Sequence, residues 1–158
     1  MNRIRGIRVV MGLCAALAAS SARADGSPFV GRWRLNRAQS KLPPGGPVPN
    51  DLTSEISRAD SRVKWSVTIL TTDLATEARH VETVEAAADG ESHPISSDTA
   101  VACRLAGDRL QTTFKGRAGQ SDTQTCTLSA DGKQMTCSGA LTGRDGETVN
   151  YVDVYDRM

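Results

Sequence analysis

Val63-Lys64-Trp65-Ser66-Val67-Thr68-Ile69 decides the fold class. Val63, Trp65, Val67 and Ile69 fall on one face, and Lys64, Ser66 and Thr68 on the other. A period of two is what a strand with one buried and one wet face requires. β-Branched and aromatic side chains suit such a pleated, half-buried surface.

The same pattern continues in both directions. Upstream, 52–58 alternates weakly and turns at Ala59-Asp60-Ser61. Downstream, 71–76 reads as a turn and 78–87 as a strand. His80, Glu82 and Val84 share one of its faces and Val81, Thr83 and Glu85 the other, so its buried face is undecided. Residues 81–88 could be helical by propensity, but the β-branched neighbours and the Asp89-Gly90 pair favour a strand. Ala88-Asp89-Gly90-Glu91 is expected to turn a hairpin into 92–96. Strands at 99–106 and 109–116 flank Gly107-Asp108. Strands at 120–129 and 134–141 flank Ala130-Asp131-Gly132-Lys133. A last strand, 148–155, follows Gly143-Arg144-Asp145-Gly146.

The first strand is 29–35, with Phe29, Gly31, Trp33 and Leu35 on one face. Residues 36–41 form a polar turn, with Asn36 placed to cap one turn of helix. Between 42 and 49, four prolines and two glycines exclude both helix and ladder, leaving a surface crossing. Short loops set successive strands side by side and antiparallel. The expected fold is all-β: an up-and-down meander of about 8–10 strands that closes into a barrel or half-barrel, because closure removes exposed edges.

Residues 1–24 are expected to stand apart as a cleaved signal peptide. Arg3, Arg5 and Arg8 precede an apolar run over 9–19, and Ala22-Arg23-Ala24 is an A-x-A cleavage site. Cys14 allows a lipoprotein alternative, although bulky Leu13 before it disfavours that. The domain proper is then 25–158. The leader holds four of the 19 basic side chains and none of the 18 acidic ones, leaving 15 against 18. A mildly acidic chain without basic clusters argues against nucleic acid and anionic membranes as partners. No later apolar run reaches transmembrane length. A monomer is expected.

Phe29-x-Gly31-x-Trp33-x-Leu35-Asn36-x-x-x-Ser40-Lys41, Ser129-x-Asp131-Gly132-Lys133-x-Met135-Thr136 and the tail Tyr155-Asp156-Arg157 resemble a group of small exported bacterial lipocalin-like, calycin-type β-barrel proteins of uncharacterised function. The resemblance covers most of 25–158 and implies location in the periplasm or outside the cell. It also implies that Trp33, two residues after Gly31, closes one end of the barrel under an arginine from a late strand. Arg157 is the first candidate and Arg144 the second. A guanidinium over indole contributes about 0.5–2 kcal/mol, and it would tie the last strand to the first. Any ligand should then lie at the other end.

The resemblance implies a non-enzymatic barrel that binds a small apolar or amphipathic ligand. Val63, Trp65, Val67, Ile69, Leu110 and Phe114 would supply the interior contacts. Six aromatics are few for such a cavity, which argues against a large lipid-filled cup. An alternative is a protein-interaction barrel, such as a periplasmic protease-inhibitor-like module acting through the trunk 25–28. A third reading is a small barrel enzyme using His80 or His93. Those two histidines are the only ones, and no nucleophile elbow, phosphate loop or dinucleotide fingerprint accompanies them. No cofactor is expected. No metal is expected either, since C-x-x-C and H-x-x-x-H spacings are missing. Arg32, Arg34 and Arg37 read as a solvated outer face.

Cysteine arithmetic completes the reading. If Asp131-Gly132 is the centre of the turn, Ala130 faces Lys133 and Cys126 faces Cys137. A hydrogen-bonded pair there would have Cα atoms about 5.5 Å apart, within disulfide range. Two reduced core cysteines are the alternative. Cys103 shares its face with Val101 and Leu105 and reads as a buried, inert thiol.

Overall fold

The structure is a computed structural model, and it describes residues 26–43, 49–73 and 76–158. The expected leader and the centre of the proline-rich crossing lie outside these residues. Ten strands follow one another: β1 Gly31–Leu35, β2 Asp51–Ala59, β3 Arg62–Asp73, β4 Thr76–Ala87, β5 Asp89–Pro94, β6 Ala100–Ala106, β7 Arg109–Lys115, β8 Ser121–Leu128, β9 Gln134–Thr142 and β10 Thr148–Arg157. All neighbours are antiparallel, in the order β4-β3-β2-β1-β10-β9-β8-β7-β6-β5. The sheet curls into a nearly closed up-and-down barrel, as the alternation and the hairpins require.

β1 pairs with β10 in the middle of the sheet, with Trp33 opposite Arg157 and Leu35 opposite Tyr155. β1 is half the length of β10, and the polar turn after it makes up the difference. The turn is a single helical-type turn, with Ser40 N donating to Asn36 O at 3.1 Å and Gln39 N to the Asn36 side-chain Oδ1 at 3.3 Å. Asn36 N donates to Val154 O at 2.7 Å, Ser40 Oγ accepts from Val154 N at 2.9 Å, and Lys41 N donates to Val152 O at 2.7 Å. The Ser40-Lys41 pair thus continues the ladder that β1 leaves unfinished.

Two expectations change. The turn placed at 71–76 shrinks, because Thr71, Thr72 and Asp73 pair with Ala78, Glu77 and Thr76. β-Branched threonines sustain a strand as readily as they leave one. The second change matters more. Asp89-Gly90 does not turn a hairpin, and β4 and β5 are not hydrogen-bonded to each other. They form the two edges of the sheet. Ala88 N donates to Ser61 O at 2.9 Å, and Asp89 already pairs with Arg104 of β6. The Asp-Gly pair sits in a register shift between Asp89 and Ser92, a bulge on an edge strand. The Asp89 carboxylate accepts from Glu91 N at 2.8 Å, and that local bond satisfies the bulge without a facing strand.

The core lies toward one end. Phe29, Trp33, Val63 and Val101 are fully buried there, with Ala59, Ala86, Cys103 and Met135 around them. β4 resolves its ambiguity by turning Val84 and Ala86 inward and leaving Val81 outside.

Candidate ligand-binding site

The buried end leaves no room for a ligand. Trp33 Nε1 donates to Phe29 O at 3.0 Å. The Arg157 guanidinium lies over the indole, 4.1 Å from the ring centroid. Arg157 Nε donates to Gly132 O at 2.8 Å and Nη1 to Val30 O at 3.0 Å, and Nη2 donates to Pro28 O. The arginine therefore clips the N-terminal segment and the β8–β9 loop onto the plug. Gly31 makes this approach feasible. A Cβ at its position (φ +149°) would meet Arg157 Nη1 at 2.5 Å. Arg144 lies elsewhere, donating to Gln120 Oε1 at 3.2 Å.

The opposite end opens into a cavity of about 560 Å³. Its apolar wall includes Leu35, Leu52, Trp65, Val67, Ile69 and Phe114, with Leu42, Pro43, Pro49 and Leu141 also on the lining. Trp65 of β3 and Phe114 of β7 reach toward each other across the interior. They meet edge to face with centroids 6.0 Å apart, a favourable aromatic geometry. Below them is a second space of about 90 Å³, bounded by Ile56, Leu110, Met135 and the Cys126–Cys137 pair. Trp65, Val67, Phe114, Gln124 and Tyr155 border both spaces, so they form a waist between cavity and plug.

Of the residues expected at a site, Trp65, Val67, Ile69 and Phe114 come together on the cavity wall. Leu110 sits below the waist, and Val63 is packed into the plug. The small aromatic count does not prevent a cavity, because two rings placed on opposite walls suffice to shape it.

The polar side of the cavity was not foreseen. Asp122, Gln124, Tyr151, Asp153 and Tyr155 line it from β8 and β10, and Glu82 from β4. Tyr151 donates its hydroxyl to Asp122 Oδ1 at 2.7 Å, and Tyr155 donates to Asp153 Oδ2 at 3.4 Å. Burial pushes the Asp153 carboxyl up to about 6, with the Asp122 charge adding to it. Burial also raises Asp122, against the opposing pull of the Tyr151 hydroxyl. Both phenols are pushed upward, first by burial and then by these carboxylates. Tyr151, Asp153 and Tyr155 share a face by simple alternation. The sequence predicts a strand over 148–155 without assigning its inward face.

The remaining candidates lie away from the cavity. His80 is exposed at the β4 edge, opposite Ile69. His93 Nε2 lies 2.8 Å from Asp89 Oδ2 on β5, with both side chains 45% exposed. Such an open pair lacks the dry surroundings that sharpen acid–base chemistry. Cys103 is free and buried, and burial pushes its thiol up to about 11. Cys126 and Cys137 are disulfide-bonded, with Cα atoms 3.9 Å apart. That is nearer the 4.5 Å of a non-hydrogen-bonded pair than the 5.5 Å expected. Arg34 pairs with Asp51 at 3.4 Å on the outer face. Among the described residues, no group of three or more His, Cys, Asp or Glu could hold a metal ion, and no helix is long and apolar enough to cross a membrane.

No family model matches the chain, and no curated protein matches it in sequence. Solved structures match it in shape. Secretory abundant heat soluble protein 4 from Ramazzottius varieornatus superimposes with a TM-score of 0.54 at 13% identity, over 87% of this chain and 99% of that one. What is shared is the fold. A mutant of the fluorescent protein UnaG gives 0.48 at 20% identity, over 83% of this chain and 96% of that one. The apo form of Caenorhabditis elegans lipid binding protein 8 gives 0.48 at 12% identity, over 85% and 100%.

Proposed function

We propose that the protein is a non-enzymatic barrel that binds a small amphipathic molecule in the open cavity. The observation that carries this reading is the cavity itself. At about 560 Å³ it falls within the size range of small-molecule sites, and it joins an apolar wall to a few convergent polar groups at one mouth. The Trp33 plug closes the other end, so a ligand does not pass through the barrel there. Export to the periplasm or beyond is part of the proposal. It rests on the basic, apolar and A-x-A segments of residues 3–24 and on the disulfide, which persists in oxidising compartments.

The test is titration with N-phenyl-1-naphthylamine, a neutral apolar fluorophore, read by its emission and by quenching of Trp65. Saturable 1:1 binding is expected, and Val67→Arg should abolish it while leaving the melting curve intact. Binding that is unsaturable, or equal in Val67→Arg, would overturn the reading.

A further inference from the structure

The charge of the cavity identifies its ligand further, given the proposed binding site. Among the described residues, its lining carries three carboxylates, Glu82, Asp122 and Asp153, and no lysine, arginine or histidine. They come from β4, β8 and β10, so the negative charge surrounds the space from both walls. The two tyrosines add no free donor. Tyr151 and Tyr155 both spend their hydroxyl hydrogens on these carboxylates, at 2.7 and 3.4 Å, and offer only lone pairs to a ligand. Apart from the Gln124 amide and the Trp65 indole N–H, the lining side chains are acceptors or apolar, and none carries a positive charge.

A ligand that enters must complement that pattern. A carboxylate head would meet like charge with no cation to pair it, and such juxtaposition is strongly unfavourable where water is scarce. A neutral alcohol offers one donor. An alkylammonium offers three donors and a full positive charge, with a hydrocarbon tail to lie against Trp65, Val67, Ile69 and Phe114. We propose that the cavity selects a hydrophobic amine: an amphiphile with a cationic, hydrogen-donating head at the acidic wall that Asp122 and Asp153 line and an apolar tail pointing toward the Trp65–Phe114 waist.

The arrangement also accounts for a feature that folding alone does not require. Asp122 of β8 and Asp153 of β10 line the same cavity with β9 between them, and burial disfavours the charged form of each. A cation arriving at this wall would restore the lost solvation, so that binding and ionisation reinforce each other. Among the described residues, the other titratable groups on the lining are Tyr151, Tyr155 and Glu82, and none supplies a competing positive charge.

Matched ligands that differ only in the head group decide the matter: dodecylamine, dodecanol and dodecanoate, each displacing N-phenyl-1-naphthylamine from the wild-type protein at pH 7.5. The amine is expected to bind at least tenfold more tightly than either of the others. In Asp122→Asn/Asp153→Asn that preference should fall below threefold, while saturable 1:1 uptake of N-phenyl-1-naphthylamine and a cooperative melting transition show that the cavity is still formed. Lowering the pH to 5 should reduce the wild-type preference in the same way. Equal affinity for the three, a preference for dodecanoate, or an amine preference that survives the double substitution would overturn the inference and leave the cavity reading standing. If none of the three displaces the fluorophore because nothing binds, the cavity reading itself fails.

Discussion

Tyr151 hydrogen-bonds Asp122 at 2.7 Å across the strand that separates them. Tyr151 is on β10 and Asp122 on β8, and β9 runs between. The ring can cross because its partner on β9 is Gly139, which has no side chain to block it. A glycine in a strand interior costs stability through backbone entropy and lost packing. Here it is offset by an aromatic ring laid on the bare backbone and a half-buried hydrogen bond beyond it.

Gly139→Ala tests this relationship directly. A Cβ at 139 would overlap the Tyr151 ring, so the ring must move and its bond to Asp122 must break. The expected cost is about 1–3 kcal/mol in urea denaturation, the usual range for overpacking. In a Tyr151→Ala background the same substitution should cost far less, because the clash is gone. Additive costs in the double-mutant cycle would show that the ring and the glycine are not coupled.

The clip at the closed end gives a second test. Trp33 is fully buried, so Trp33→Ala should cost about 3–5 kcal/mol. Arg157→Lys keeps the charge but loses the planar fork that serves three carbonyls. It should destabilise the protein almost as much as Arg157→Ala. Neither arginine variant should change ligand affinity at temperatures where it remains folded, since neither residue borders the cavity. An Arg157→Lys protein as stable as wild type would refute the clip.

How far the sequence foretold these arrangements varied with the range of the interaction. Strand alternation and Asp-Gly loops are local signals, and they placed the β8–β9 register well enough to bring Cys126 opposite Cys137. The pairing of β1 with β10 is long-range, and it was reached only through a resemblance centred on Trp33 and the final arginine. The parting of β4 from β5 was missed for a physical reason. Asp89-Gly90 serves a bulge on an edge strand as well as it serves a hairpin, and nothing local states whether a facing strand exists. The acidic side of the cavity was missed because alternation leaves two faces to choose between. In Tyr151-Val152-Asp153-Val154-Tyr155 the tyrosines and the aspartate line the cavity, while Val154, whose backbone bonds Asn36 and Ser40 of the polar turn, is buried as well, so composition alone does not mark the inward face.

The disulfide makes a prediction about both folding and thiol chemistry. Its loop spans 11 residues in sequence, and in the chain-entropy picture closing it contributes roughly 3 kcal/mol. Cys126→Ala/Cys137→Ala should lower the urea midpoint accordingly. For protein begun at residue 25, without Cys14, mass spectrometry after alkylation should find no modification in the folded oxidised state, because Cys103 is buried and held as the thiol. In denaturant it should find one. Three alkylated cysteines in the unreduced, denatured chain would contradict the bridge.

The acidic cavity gives the last prediction, and its sign depends on burial. Asp153 has its folded-state pKa raised from an ordinary 3.8 to about 6. The folded protein therefore holds this proton to a higher pH than the unfolded chain does. The group supports folding fully below about 4, and that support is lost as the pH rises through about 6. Asp153→Asn removes the buried charge and keeps an acceptor for Tyr155. In the absence of ligand it should raise stability by about 1–2 kcal/mol at pH 7.5, less than the full shift would imply because water at the cavity mouth screens the charge. At pH 4 it should change little. Urea midpoints of the two proteins at both pH values make the comparison. A loss of stability at pH 7.5 would mean that the carboxylate is held by a favourable partner in the empty barrel, and that its charge is not waiting for a ligand to neutralise it.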